Sequence, residues 1–245
     1  MEARVQRVLV WTGPAMVLIW FATFIFVMGF FPPSDPSASA EEIRQLYAED
    51  TTLIRLGLVI VMAASALLVP WAAAIAGVLW RIDGAKALAA TQFVSCGLLS
   101  LEFITPIGVW MAAAFRFDDR SPEVTEALHD VGWILFVTVI WSLIVQMACI
   151  AVAIFIDRGP EPVLPRWLGY LTMWAALLIL PAGMVLFFKD GPFAWNGIVG
   201  IYIPLAAFVI WMGALSHQVH VALSREINAV SEPARHQRIH EGVTT

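Results

Sequence analysis

Residues 133–156 read WILFVTVIWSLIVQMACIAVAIFI, with no charged side chain anywhere in the run. A helix crosses about 30 Å of hydrocarbon with roughly 20 apolar residues, so this stretch is long enough to span a bilayer. Backbone groups in lipid have to be satisfied within the segment, which leaves a helix or a closed barrel. The run lacks the alternation of a barrel strand, and a helix is expected. Its boundaries extend naturally to Leu128–Ile156.

Five more runs of the same kind flank it: Val8–Phe31, Ile54–Trp80, Ala87–Phe115, Trp167–Phe188 and Ala194–Leu223. Each ends at a turn signal or charge cluster, such as Pro32-Pro33 after the first and Lys189-Asp190-Gly191-Pro192 after the fifth. Of the 245 residues, 60% are hydrophobic and 13% charged, with a mean hydropathy of +0.80. Soluble domains carry about 25% charged residues. That contrast excludes a soluble domain, and with two cysteines it also excludes a disulfide scaffold. The expectation is all-α: residues 1–223 form a six-span helix bundle, and residues 224–245 form a polar tail. The first apolar run exceeds the 7–15 residues of a signal-peptide core, so it reads as a retained span.

Lys and Arg set orientation. Nine of them (Arg4, Arg7, Arg81, Lys86, Arg158, Arg166, Arg225, Arg235 and Arg238) fall on the side of the termini and the second and fourth loops. The other side has five: Arg44, Arg55, Arg116, Arg120 and Lys189. Both termini are therefore expected in the cytoplasm, in a cell inner (plasma) membrane. The opposite face, richer in acids, disfavours nucleic acid as a partner. The expected partners are the lipid bilayer and other membrane proteins or further copies of the chain.

Loop 1 contains Ser39-x-x-Glu42, the spacing of a capping box. A short extracytoplasmic helix should follow, with Ile43, Leu46 and Tyr47 on one face, lying on the surface or acting as a lid. Ser121-Pro122 similarly predicts that the fourth helix starts near Pro122. Five prolines lie within spans, Pro14, Pro70, Pro106, Pro181 and Pro204, and each is a candidate kink.

Glu102 is the one acidic residue in mid-span. A charge at that depth costs at least about 2.5–3.5 kcal/mol on insertion scales, so it needs a partner. Aligning the centres of antiparallel spans 3 and 4 brings it near Ser142 and Gln146. With Trp141, these are the candidate ligand-binding or buried polar residues, and Glu102 either locks two helices together or serves as a ligand or proton site. His217 and His220 share a helix face and are weak metal candidates that lack a third ligand. Asp118, Asp119, Glu123 and His129 form an acidic cluster that would recruit a divalent ion in an enzyme reading. Cys96 and Cys149 read as packing residues. Of eleven tryptophans, Trp11, Trp80, Trp167 and Trp195 suit an interfacial belt, whereas Trp20, Trp71, Trp110, Trp133, Trp141, Trp174 and Trp211 would fill or line an interior. No nucleotide-binding, metalloprotease or serine-hydrolase motif occurs in the sequence.

Leu164-Pro165-Arg166-Trp167-Leu168-Gly169, together with Leu53-Ile54-Arg55-Leu56-Gly57 after an acidic helical stretch, resembles a broad family of six-span bacterial integral membrane proteins with a domain of unknown function. Gly191-Pro192-Phe193-Ala194-Trp195-Asn196-Gly197 is similar to a turn in a narrower group of hypothetical membrane proteins. The resemblance implies the fold and topology and carries over no catalytic residue. The leading functional expectation is a non-catalytic accessory subunit or binder of a hydrophobic ligand (lipid, quinone or sterol-like), with no other cofactor. A proton-coupled transporter using Glu102 is the alternative, and an integral membrane enzyme comes third.

Overall fold

The computed structural model describes residues 2–138 and 140–242, with side chains as far as residue 229. Among the described residues, six helical stretches are long and apolar enough to cross a membrane: Glu2–Val27, Thr51–Leu79, Lys86–Phe115, Pro122–Ile156, Arg166–Phe187 and Ile198–Ala229. No strand occurs among the described residues. The six spans anticipated from hydropathy are all present, and the fourth helix starts at Pro122 as its cap predicts.

Most spans are interrupted, and the prolines account for most interruptions. Span 1 divides into α1 (Glu2–Leu9) and α2 (Thr12–Ala22), broken at Val10 and Trp11. Pro14 lies four residues after Val10, so its ring crowds that carbonyl and offers it no N–H. Span 2 divides into α4 (Thr51–Ser65) and α5 (Leu68–Leu79) at Ala66, four residues before Pro70. The two breaks meet, because the Thr12 hydroxyl donates to the Leu67 carbonyl at 2.8 Å. After α9 (Arg166–Ile179), Pro181 sits in a 3-10 stretch over Leu180–Phe187. Pro204 follows a π-helical stretch, Ile198–Tyr202, that leads into α10 (Ile203–Gly242). By contrast, α6 (Lys86–Phe115) runs on past Pro106. Span 4 comprises α7 (Pro122–Thr138) and α8 (Trp141–Ile156).

Consecutive spans are neighbours, and span 6 returns to pack on span 1, closing a ring. The loop 1 helix, α3 (Ala40–Glu49), packs on α7 and α4. Its capping box is formed: the Ser39 backbone N–H donates to Glu42 Oε2 at 2.7 Å, and the Glu42 N–H donates back to Ser39 Oγ at 3.4 Å. Ile43 and Tyr47 are buried on its inner face, as the pattern predicts, and Leu46 packs beside them. Arg55 caps the end of α6 by donating from Nη2 to the Ala114 carbonyl at 2.9 Å, satisfying an acceptor that helix termini leave free.

At the end bearing the termini, Arg81 pairs with Glu226 at 2.9 Å and donates to Gln6 at 3.1 Å, joining α10 to α1. The helix continues beyond Leu223, where the apolar pattern stops, and this pair ties its next turn to the bundle.

Candidate functional site

The interior is aromatic. Trp20 and Phe24 of span 1, Phe103 of α6, Trp133 and Phe136 of α7 and Phe208 of α10 converge near the bundle axis. Trp20 stacks on Phe24 at 5.0 Å and on Phe136 at 5.5 Å, and meets Phe103 edge-on at 5.1 Å. Offset and edge arrangements of this kind add about 0.5–1.5 kcal/mol per pair beyond area burial. These rings, with Met16, Val17 and Ile201, bound a cavity of about 70 Å³ whose accessible lining is entirely apolar. A second, more open recess of about 80 Å³ lies beside it, among Val137, Ile140, Leu143, Ile179 and Ala182. Phe103, Phe136, Ile201, Leu205 and Phe208 border both.

The first cavity sits behind an uneven seam. Near the termini, α1 and α2 pack on α10. Farther along, the π-helical Thr23–Val27 leans instead on α4. There the side towards span 6 is closed by rings, with Phe31 meeting Tyr202 at 5.6 Å and Phe21 at 6.4 Å. Phe21 and Phe31 also line the cavity. Phe21 and Phe31 are thus side-chain walls of the cavity on this side.

Beside the cavity lies a polar centre built on His129, in a role other than the metal-ligand one its sequence neighbours suggest. His129 is 1% exposed. The Trp133 indole N–H donates to its Nε2 at 3.0 Å, and the Ser34 hydroxyl contacts the same atom at 2.8 Å. An indole N–H can only donate, so Nε2 carries no hydrogen and accepts from both. The ring hydrogen is therefore on Nδ1, which donates to Tyr47 Oη at 3.0 Å. Tyr47 is fully buried, and burial pushes its phenol far above the usual range. The backbone carbonyl of His129 accepts from Trp110 Nε1 at 3.2 Å, and Phe30 packs edge-on against the ring at 5.7 Å. Trp195, from the Gly191–Gly197 turn, donates to the Ser34 carbonyl at 2.8 Å. One imidazole thus ties loop 1, α3 and α7 together, and Trp195 adds loop 5.

This overturns the acidic metal cluster: His129 is turned into the protein, away from Asp118, Asp119 and Glu123, and both ring nitrogens are engaged. Among the described residues no group of three or more metal-ligating side chains occurs. His217 and His220 do not converge on an ion either. His220 Nδ1 accepts from Trp11 Nε1 at 3.1 Å, and His217 Nδ1 lies 3.3 Å from Gln218 Nε2.

Glu102 does meet Ser142, whose hydroxyl donates to Glu102 Oε2. Gln146 goes elsewhere: its Nε2 donates to Gln92 Oε1 at 3.4 Å, while Gln92 donates to the Ala72 carbonyl at 3.1 Å. Glu102 is half-buried and borders neither interior void. Trp141 is 61% exposed and Trp174 63%, so these two face outward rather than lining the interior. Trp71, Trp110, Trp133 and Trp211 are fully buried as expected. Cys96 and Cys149 are free and buried.

The chain matches no protein-family model, no curated protein and no solved structure.

Proposed function

We propose that this chain is a non-catalytic protein of the bacterial inner membrane that binds a hydrophobic ligand from the lipid phase. The ligand class is lipid, quinone or sterol-like, and both termini lie in the cytoplasm. The resemblance to six-span membrane proteins is part of the same proposal. One observation carries the binding reading: the all-apolar aromatic cavity lies behind the Phe21–Phe31–Tyr202 seam between spans 1 and 6.

Magnitude limits the occupant. An engineered cavity of 150 Å³ holds benzene, and this one is about 70 Å³. The resting bundle takes the end of a chain. A ring enters only when Phe103, Phe136 or Phe208 changes rotamer and joins the two voids. Apolar walls without hydrogen-bonding groups suit a tail or an isoprenoid better than a polar headgroup, which stays at the membrane surface.

Native mass spectrometry of protein released from mild detergent tests this reading. A retained hydrophobic molecule is expected, with a photoactivatable acyl probe labelling Phe31, Phe136 or Tyr202. Labelling restricted to outward residues such as Trp174, with no retained mass, overturns it.

A further inference from the structure

Glu102 is the seventeenth of thirty residues in α6, at its middle, and its surroundings differ from those of most membrane carboxylates. Ionisable groups at this depth almost always face the bundle interior. Glu102 is half-buried instead: of its neighbours at helical spacing, Leu99 and Pro106 are buried, while Leu98 and Thr105 are exposed, so it stands at the edge of an outward face. Trp141 and Val145 of α8 continue this outward face. Oε2 accepts from Ser142, while Oε1 has no hydrogen-bond partner among the described residues and is not sealed from the surface. Pro106, four positions on, brings no N–H to the Glu102 carbonyl. Two oxygen acceptors are thus short of donors where the surrounding lipid has none.

We propose that the chain self-associates in the membrane through this face, two copies meeting about a two-fold axis at Glu102. A second copy fits because a carboxylic acid complements itself. The Oε1–H of each copy donates to Oε2 of the other, and Oε2 keeps a lone pair for its own Ser142 hydroxyl. No cation is required. A two-fold contact is isologous, so each surface meets its own likeness. Gly97 and Gly108 lie on another side of α6, so the contact rests on the carboxyl pair and on the exposed Leu98 and Thr105 that flank Glu102 at helical spacing.

The test uses full-length protein in its membrane and in lipid nanodiscs. Leu101→Cys should cross-link between copies on mild oxidation, and the wild type should report the mass of a dimer. Glu102→Leu should weaken the dimer by on the order of tenfold. Glu102→Gln should retain it, since two carboxamides also pair. Glu102→Lys alone should be monomeric, yet should be captured by co-expressed, differently tagged wild type. A monomeric wild type with no Leu101→Cys cross-link overturns the proposal. Equal weakening by Glu102→Leu and Glu102→Gln overturns the carboxyl pair, as does a Glu102→Leu dimer of undiminished affinity.

Discussion

The Trp133 indole N–H donates to Nε2 of His129, one helical turn earlier on α7, at 3.0 Å. That bond fixes the tautomer of a ring whose other partners come from 82 and 95 residues away, Tyr47 and Ser34. A local helical contact therefore prepares the surface on which loop 1 docks. His129→Phe keeps the ring volume and removes both acceptor and donor. It leaves the Trp133 N–H, Tyr47 hydroxyl and Ser34 hydroxyl unsatisfied, at about 1–3 kcal/mol for each group that stays buried. The expected loss is about 3 kcal/mol in unfolding measured in mild detergent, with faster hydrogen exchange across α3. Unchanged exchange in α3 would show that loop 1 is held by something else.

Gly132 lies on the same helix, where an added Cβ would collide with the Trp110 indole. Trp110 is fully buried and bonded to the His129 carbonyl, so it has little room to yield. Gly132→Ala should cost about 1–3 kcal/mol, the usual range for overpacking. Gly213→Ala, in open space on α10, should be neutral or stabilising by up to about 1 kcal/mol. Thermal denaturation of the two variants side by side decides whether packing or helix propensity sets the sign.

The spans were legible because lipid imposes a length and an apolar composition that few residues can hide. The Glu102–Ser142 contact was legible too, since short loops force antiparallel neighbours and a mid-span carboxyl needs a donor. Which way Trp141 and Trp174 point was not, because in a bilayer both faces of a helix are apolar and periodicity no longer separates core from surface. His129 is legible as a candidate ligand, but its true role as the buried hub of loop 1 is not. Its partners are scattered over loop 1, α3 and α7, and no local spacing foretells a ring that acquires its environment only on docking. Proline positions did carry information: Pro14 and Pro70 mark two breaks that meet at Thr12 and Leu67.

Glu42 gives loop 1 a pH dependence. The Ser39 backbone N–H, and then its hydroxyl, hold the Glu42 carboxyl below the usual carboxylate range. A lowered folded value means that the ionised form is favoured in the capped helix. The contribution is present above the unfolded value, about 4.3, and is lost as pH falls through the folded one. The Ser39 amide should therefore lose its protection, relative to its intrinsic exchange rate, as pH falls below the ordinary carboxylate range, while amides in α6 remain protected. Glu42→Gln removes the titration, and its Ser39 amide should lose this acid sensitivity. A persisting acid response in that variant would place the titrating group elsewhere.

Phe136 separates the two interior voids and touches Trp20, Phe24, Phe103, Trp110 and Trp133. Phe136→Ala should join the voids into one apolar chamber. Truncating a buried Phe costs about 3–5 kcal/mol, and the penalty grows with the cavity left behind. An apolar ligand that fills the space returns part of it, by mass action on the folded state. The variant should unfold earlier than wild type in mild detergent and regain stability when benzene or a short isoprenoid is added, with a larger shift than wild type shows. Xenon bound in a structure of the variant would locate the chamber directly. If added apolar compounds stabilise the two proteins equally, Phe136 does not close the space, and the binding reading loses its gate.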